Sequence, residues 1–330
     1  MINVPLRVPT DPDRWITVPP QGYGGIQWVV ANLVDGLLAL GHTVYLLGAP
    51  GSSSSDRRLI VVDAAEPHEI SSWLNTNTVD LIHDHSNGII PLSEGVIPFV
   101  STHHLTGRPR YPECAIYLSY AQRADAESER APVIRIPVNP ARYRHSTPKS
   151  NYLLVLCRVS RWKGVLEAAQ FANAAQMPLL IAGPAWEPDY LDLILREHSN
   201  VASYLGEVAD DRRLDLLGRA RALLALSQPY PGPWNRRWSE PGATVVSEAA
   251  ASGTPAISSD NGCLSEITPL VGRVIPVGER ISPQRAEALL RDLPTPEVVR
   301  ATAVQEWGHV KIAAEYVDVY RDRLRGSAWD

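Results

Sequence analysis

Strand-length apolar runs alternate with helix-length amphipathic stretches along nearly the whole chain, and that alternation admits few folds. Ile26, Val29, Val30, Leu33, Leu37 and Leu38 recur at helical spacing, and Gly41 is placed to close the helix they form. Residues 43–47 then read as a buried strand, and further apolar runs lie at 59–62, 81–82, 97–100, 116–118 and 133–138. Apolar strands separated by helix-length segments predict βαβ units and a parallel sheet covered on both faces.

The stretch 140–150 is polar and basic, carries two prolines, and reads as a linker. After it the pattern restarts. Strands are expected at 152–156, 179–182, 201–205, 222–226 and 256–258, and helices at 163–176, 189–198, 211–220 and 244–251. Gly253 and Pro255 end the last of these helices. Two doubly wound halves of similar size fit a length of 330 residues. The segment 296–324 is helical in pattern, with Trp307, Val310, Ala314, Val317 and Tyr320 at steps of three and four. No strand follows, so it is expected to pack on the outside of a domain.

Composition narrows the function. Hydrophobic residues are 45% and charged residues 20%, enough for two cores in a globular protein. The net charge of −5 leaves no basic field for nucleic acid or an anionic membrane. Cys114, Cys157 and Cys263 form no CxxC pair, so neither a disulfide framework nor a cysteine metal site is expected. No apolar run reaches the roughly 18 residues that span a bilayer, and no stretch reads as a secretory leader. The expectation is a reduced, cytoplasmic protein.

Four motifs carry chemistry. In Glu240-Pro-Gly242-Ala243-Thr-Val-Val-Ser-Glu248, one acid lies in a loop, a glycine opens a helix, and a second acid lies on that helix. Free N–H groups at a helix start attract an anion, while carboxylates accept hydrogen bonds from sugar hydroxyls. In Arg158-Val-Ser-Arg-Trp-Lys163-Gly164, two cations follow a strand and open a helix, spaced to close on a diphosphate from one side. Lys163 is one of only three lysines. In Pro20-Gln-Gly-Tyr-Gly24-Gly25, adjacent glycines let backbone approach a ligand. His83-Asp-His85 and His103-His104 follow apolar strands, at the edge where α/β sheets hold ligands. Singly, each motif also reads as ordinary: a capped helix with solvated acids, two surface cations, a tight loop, histidines bonded within loops.

Together, in this order and spacing, the motifs resemble the retaining GT-B glycosyltransferases of family 4. The similarity is to the bacterial subgroup with PP-x-x-YGG near the start and E-P-x-G-x-x-x-x-E-A near the end. Residues 19–41, 83–104, 152–164, 181–183, 204–208 and 222–266 carry it. The resemblance implies an α/β fold of two Rossmann-like doubly wound domains facing a cleft. Residues 1–145 would form an acceptor domain, with a C-terminal helix at about 311–330 packed back on it. Residues 146–310 would form the donor domain.

The resemblance also implies roles. Arg158 and Lys163 match the basic pair on the donor diphosphate, Glu248 the acid on the ribose, and Glu240 the acid on the donor sugar. Gly242 and Ala243 match the backbone at the phosphate, and Val208 the loop beside the base. Gly24 and Gly25 match the glycine loop that faces the phosphates. His104 matches the histidine near the transferred sugar, so His104 and Glu240 are the catalytic candidates. The donor would be a nucleotide diphosphate sugar, UDP favoured, and the partner an acceptor hydroxyl. No metal is required, because Arg158, Lys163 and the helix start offset the charge that develops on phosphate. A GC-rich composition suits a tailoring transferase of natural-product biosynthesis.

The segment 228–239 departs from the pattern. Trp234 and Trp238 bracket Arg236 and Arg237 in a proline-rich loop leading into Glu240. Either the tryptophans pin the loop to its domain, or the loop is a lid that shapes donor or acceptor choice. Two other functions remain open. A GT-B sugar-nucleotide epimerase would release epimerised donor, and a non-catalytic homologue would bind the nucleotide sugar without turnover.

Overall fold

The computed structural model describes residues 2–3, 7–8, 11–22, 24–53, 56–88, 97–232 and 235–329. The chain divides into two compact units, Met1–Asn139 with Trp307–Asp330, and Pro140–Glu306.

The first unit runs through β1 (Ile2–Asn3), a small antiparallel pair β2 (Arg7–Val8) and β3 (Asp11–Trp15), and α1 (Gly25–Ala39). It continues with β4 (Val44–Gly48), β5 (Leu59–Asp63), α2 (Pro67–Thr76), β6 (Ile82–Asp84), β7 (Phe99–Thr102), β8 (Ala115–Ile116) and α3 (Tyr120–Asp125). Its sheet has the order β5-β4-β1-β6-β7-β8, and every pair in it is parallel. β1 lies in the middle, with Ile2 opposite both Leu46 and His83. The chain therefore winds outward first to one side and then to the other, with a topological switch beside β1. Val30, Leu33, Leu46, Val100 and Ile116 are wholly buried in its core.

Local chemistry explains the element ends. Behind α1, Gly41 adopts φ +92°, its N–H bonds Leu38 O at 3.0 Å, and His42 N–H bonds Leu37 O at 3.0 Å. This is the left-handed helix stop that the glycine predicts. α2 starts on a reciprocal capping box between Glu66 and Glu69 with Pro67 at its first position.

The apolar run 133–138 is not a strand. It makes single parallel bridges, Tyr117 with Val133 and Val138 with Gly308. Pro132 and Pro137 lack the N–H that a continuous ladder needs.

The second unit restarts at Pro140. Residues 140–150 do not hang free: Tyr143 is buried, and Lys149 Nζ donates to Gly218 O at 2.7 Å and Ser252 O at 3.0 Å. A single cation thus meets carbonyls at two helix C-termini. The series is β9 (Leu153–Leu156), α4 (Val165–Ala175), β10 (Leu179–Ala182), α5 (Pro188–Glu197), β11 (Ala202–Tyr204), α6 (Asp210–Arg219) and β12 (Ala222–Ala225). It ends with α7 (Thr244–Ala251), β13 (Ala256–Ser259), α8 (Leu264–Val271), β14 (Gly272–Ile275), α9 (Pro283–Arg291) and α10 (Pro296–Trp307). The strand order β11-β10-β9-β12-β13-β14, again all parallel, repeats the winding of the first unit. The helix α7 falls on the residues the sequence marks. α2, α8, α9 and β14 lie outside the elements that the sequence marks.

The C-terminal segment is two helices, α10 and α11 (His309–Leu324), parted at Gly308. The break shifts the phase of the apolar stripe. Ile312, Ala313, Tyr316 and Val317 face inward, while Val310 is 40% exposed. α11 lies against α1 at Gly36, where an added Cβ would stand 2.3 Å from His309 O and 2.7 Å from Ala313 Cβ. Gly36→Val is therefore expected to part these helices and cost about 1–3 kcal/mol or more by overpacking. Urea titration reads the loss, and unchanged stability would show that the backbones do not meet there.

Candidate active site

In the second unit all the candidates but Glu248, which lies within α7, stand in loops beyond the C-terminal end of a parallel strand. Arg158 and Lys163 follow β9, Val208 follows β11, and Glu240, Gly242 and Ala243 lie between β12 and α7. All parallel strands point the same way, so these loops share one edge.

Lys163 is held at the end of a one-turn helix, 161–163, by Gly164. Gly164 takes φ +68°, and a Cβ there would lie 1.7 Å from Leu226 O, so only glycine fits against the end of β12. Lys163 Nζ meets both oxygens of Glu240, at 2.8 Å and 2.7 Å. The two side chains are only 14% and 10% exposed. Trp238 completes the group: its Nε1 donates to Glu240 Oε2 at 3.0 Å, and its ring lies 4.6 Å from Lys163 Nζ. Arg158 does not join them but stacks over Trp186 at 4.3 Å. Trp162 touches both tryptophans, with ring centroids 6.2 Å from Trp186 and 6.4 Å from Trp238. Ser160 Oγ and Trp162 Nε1 are buried beside these groups with no protein partner among the described residues.

The second acid has its own cation. Glu248 Oε1 accepts from Arg213 Nη1 at 2.8 Å and from Tyr143 Oη at 3.2 Å. Arg213 also forks onto Asp210 Oδ1 at 3.0 Å and 2.8 Å. Burial holds the Glu248 carboxyl above its ordinary range, and Arg213 and the Tyr143 hydroxyl offset only part of that rise. Neither Arg213 nor Tyr143 stood out in the sequence. α7 begins at Ala243 in the left-handed region, φ 48°, with no side chain capping it. The positive end of its dipole is left to backbone groups.

Trp234 lies outside the described residues. Trp238 is buried, whereas Arg236 and Arg237 are exposed. Pro231 bridges Arg237, and Trp238 N–H bonds Tyr230 O at 3.0 Å, so the segment folds on itself and turns Trp238 inward.

In the first unit, Gly24 and Gly25 open α1. A Cβ on Gly24 would lie 2.8 Å from Pro20 Cβ, so packing within the loop already accounts for that glycine. His104 is buried, its Nε2 lies 2.9 Å from His85 Nδ1, and its N–H donates to Asn87 Oδ1 at 3.1 Å. His85 Nε2 is buried without a partner among the described residues. His83 lies between Tyr320 Oη and Thr102 Oγ1, each at 2.7 Å. His103 binds Gly107 O at 2.9 Å. Burial holds His103 down to about 4. Burial first, then neighbouring histidines, holds His83, His85 and His104 well below their ordinary value of 6.5. Among the described residues no three His, Cys, Asp or Glu side chains are grouped to hold a metal ion, and no helix is long and apolar enough to cross a membrane.

Two doubly wound parallel sheets in one chain, with cations and acids at the strand ends of the second, are the GT-B fold. The chain belongs to the family described as glycosyl transferases group 1, whose profile matches residues 142–289. AviGT4, a glycosyltransferase involved in avilamycin A biosynthesis, is 54% identical to it, with 100% of this chain and 98% of that one covered and a TM-score of 0.95. Sucrose-phosphate synthase from Thermosynechococcus elongatus is 16% identical, covers 92% of this chain and 94% of its own, and superposes with a TM-score of 0.72. HepE from Anabaena, solved in complex with UDP-glucose, is 18% identical, with 92% and 97% covered and a TM-score of 0.63. The last two likenesses concern the fold alone. No curated protein matches the chain.

Two outcomes are expected. Arg213→Met should cost about 3–5 kcal/mol, because it strands a buried carboxylate. Adding Glu248→Gln should recover most of that in urea titrations, and purely additive losses would contradict the pairing. The histidines give the second. Their folded pKa values lie below the unfolded value, so the unfolded chain binds more protons below pH 6.5. Stability is then complete above about pH 6.5 and falls as pH drops, by up to about 1.4 kcal/mol per pH unit for each histidine. Denaturation at pH 7 and pH 5 reads it. Equal stability at both would mean that the histidines are not buried neutral.

Proposed function

We propose that the protein moves a sugar from a nucleotide diphosphate sugar, UDP favoured, to an acceptor hydroxyl with retention at the anomeric carbon. The observation that carries the reading is the placement of Lys163, Arg158, Glu240, Glu248 and the start of α7 on one sheet edge of one unit. Likeness to AviGT4 supports a tailoring step in natural-product biosynthesis. The UDP-glucose held by HepE supports a uridine donor.

In this reading Lys163, Arg158 and the N–H groups at Gly242 and Ala243 take the diphosphate, and Glu248 takes the ribose beside the Val208 loop. Glu240 takes the sugar, and Gly24, Gly25 and His104 have the roles that the family resemblance implies for them. As the bond between C1 and the phosphate oxygen breaks, negative charge grows on the nucleotide. Fixed cations and a helix start stabilise it there without reorganisation. The acceptor oxygen bonds C1 on the face the nucleotide leaves, and its proton departs with the phosphate.

Lys163→Ala should weaken UDP binding by roughly 10–100-fold, since a hydrogen bond to a charged group contributes about 1.5–3 kcal/mol. Glu240→Gln should lower turnover far more than UDP affinity. Transfer should also survive EDTA. Calorimetry with UDP beside a coupled transfer assay checks all three. Unchanged UDP affinity in Lys163→Ala, or activity lost to EDTA and restored by Mg²⁺, would remove the cationic diphosphate site.

A further inference from the structure

We propose that Trp238 is a positioning residue of the donor site, whose indole N–H keeps Glu240 satisfied when Lys163 leaves it for the donor's diphosphate. This rests on the reading of Lys163 as a diphosphate ligand.

The geometry poses a problem that the indole solves. Lys163 Nζ stands against both Glu240 oxygens, at 2.8 Å and 2.7 Å, so a phosphate must draw it away or share it. Glu240 is only 8% exposed. A carboxylate that loses its cation in such a place is left with an uncompensated charge, and breaking the pair opposes binding. Trp238 Nε1 donates to Oε2 at 3.0 Å from a side chain that is itself 4% exposed. That hydrogen bond does not depend on Lys163 and remains when the ammonium moves.

The ring has a second part. Its face lies 4.6 Å from Nζ, so the ammonium meets a π surface as well as the carboxylate. One side chain therefore touches both members of the pair and softens their separation. Its own placement is firm. The Pro231–Arg237 bridge and the bond from Gly232 N to Arg236 O at 2.7 Å close the loop. Gly232 packs on the indole, where an added Cβ would lie 3.0 Å from Trp238 Cε3. The segment that departs from the family pattern is thus what delivers this indole.

The test is a double-mutant cycle on UDP binding by the full chain, read by calorimetry. Trp238→Phe keeps a ring beside Lys163 and deletes the N–H. Alone it should weaken UDP by about tenfold or more, because Glu240 is stranded when Lys163 moves. In a Glu240→Gln background no charge is stranded, and Trp238→Phe should change UDP affinity less than about twofold. If Phe does not fold, 3-benzothienylalanine at position 238 keeps the shape and replaces N–H by sulfur. Equal losses in both backgrounds would make Trp238 a packing residue only and overturn the proposal, as would no loss in the wild-type background. If the wild type binds UDP but Lys163→Ala binds it equally well, the diphosphate reading itself fails and this inference falls with it.

Discussion

Parallel strands can be joined only by crossovers, and that constraint organises both units. Each crossover sends the chain over a face of the sheet and back to the same starting edge. Every strand therefore delivers its following loop to the opposite edge. In the second unit this gathers 158–164, 183–186, 206–208, 227–243 and 261–263 beside one another. No single loop needs to contain a site, because the sheet assembles one from five.

Charge is handled in pairs at that edge. Lys163 faces Glu240 and Arg213 faces Glu248, and all four side chains are 14% exposed or less. Buried ions need partners, since an isolated one costs several kcal/mol. The two pairs differ in what else they touch. Glu248 is held by two donors on one oxygen, Arg213 and Tyr143, and Arg213 is itself anchored by Asp210. Lys163 has Glu240 and an aromatic face. The first arrangement fixes a carboxylate in place. The second gives the cation one carboxylate partner and a π surface.

The first unit uses polar burial differently. Four histidines near its strand ends are neutral and bonded to hydroxyls, carbonyls or each other. Their low proton affinity comes from burial, so the same packing that orders them makes the unit sensitive to acid.

Much of this was legible in the residues. Apolar periodicity marks α1, β4, β9, β10 and α7 to within a residue or two, because such periods depend only on which face of a local element is buried. The glycine and acid motifs mark the loops that carry the chemistry. Periodicity misled at 133–138, where prolines break the ladder, and at Val310, where Gly308 resets the helical phase. The partners of the charges were not legible at all. Lys163 and Glu240 are 77 positions apart and Arg213 and Glu248 are 35 apart. Their meeting depends on how the intervening crossovers wind, as does the inward turn of Trp238. The sequence by itself determined the alternation of strand and helix and which charged side chains follow the strands, because both depend on local pattern. Only the tertiary structure decided which of those side chains neutralise one another, because that is settled by distance through space.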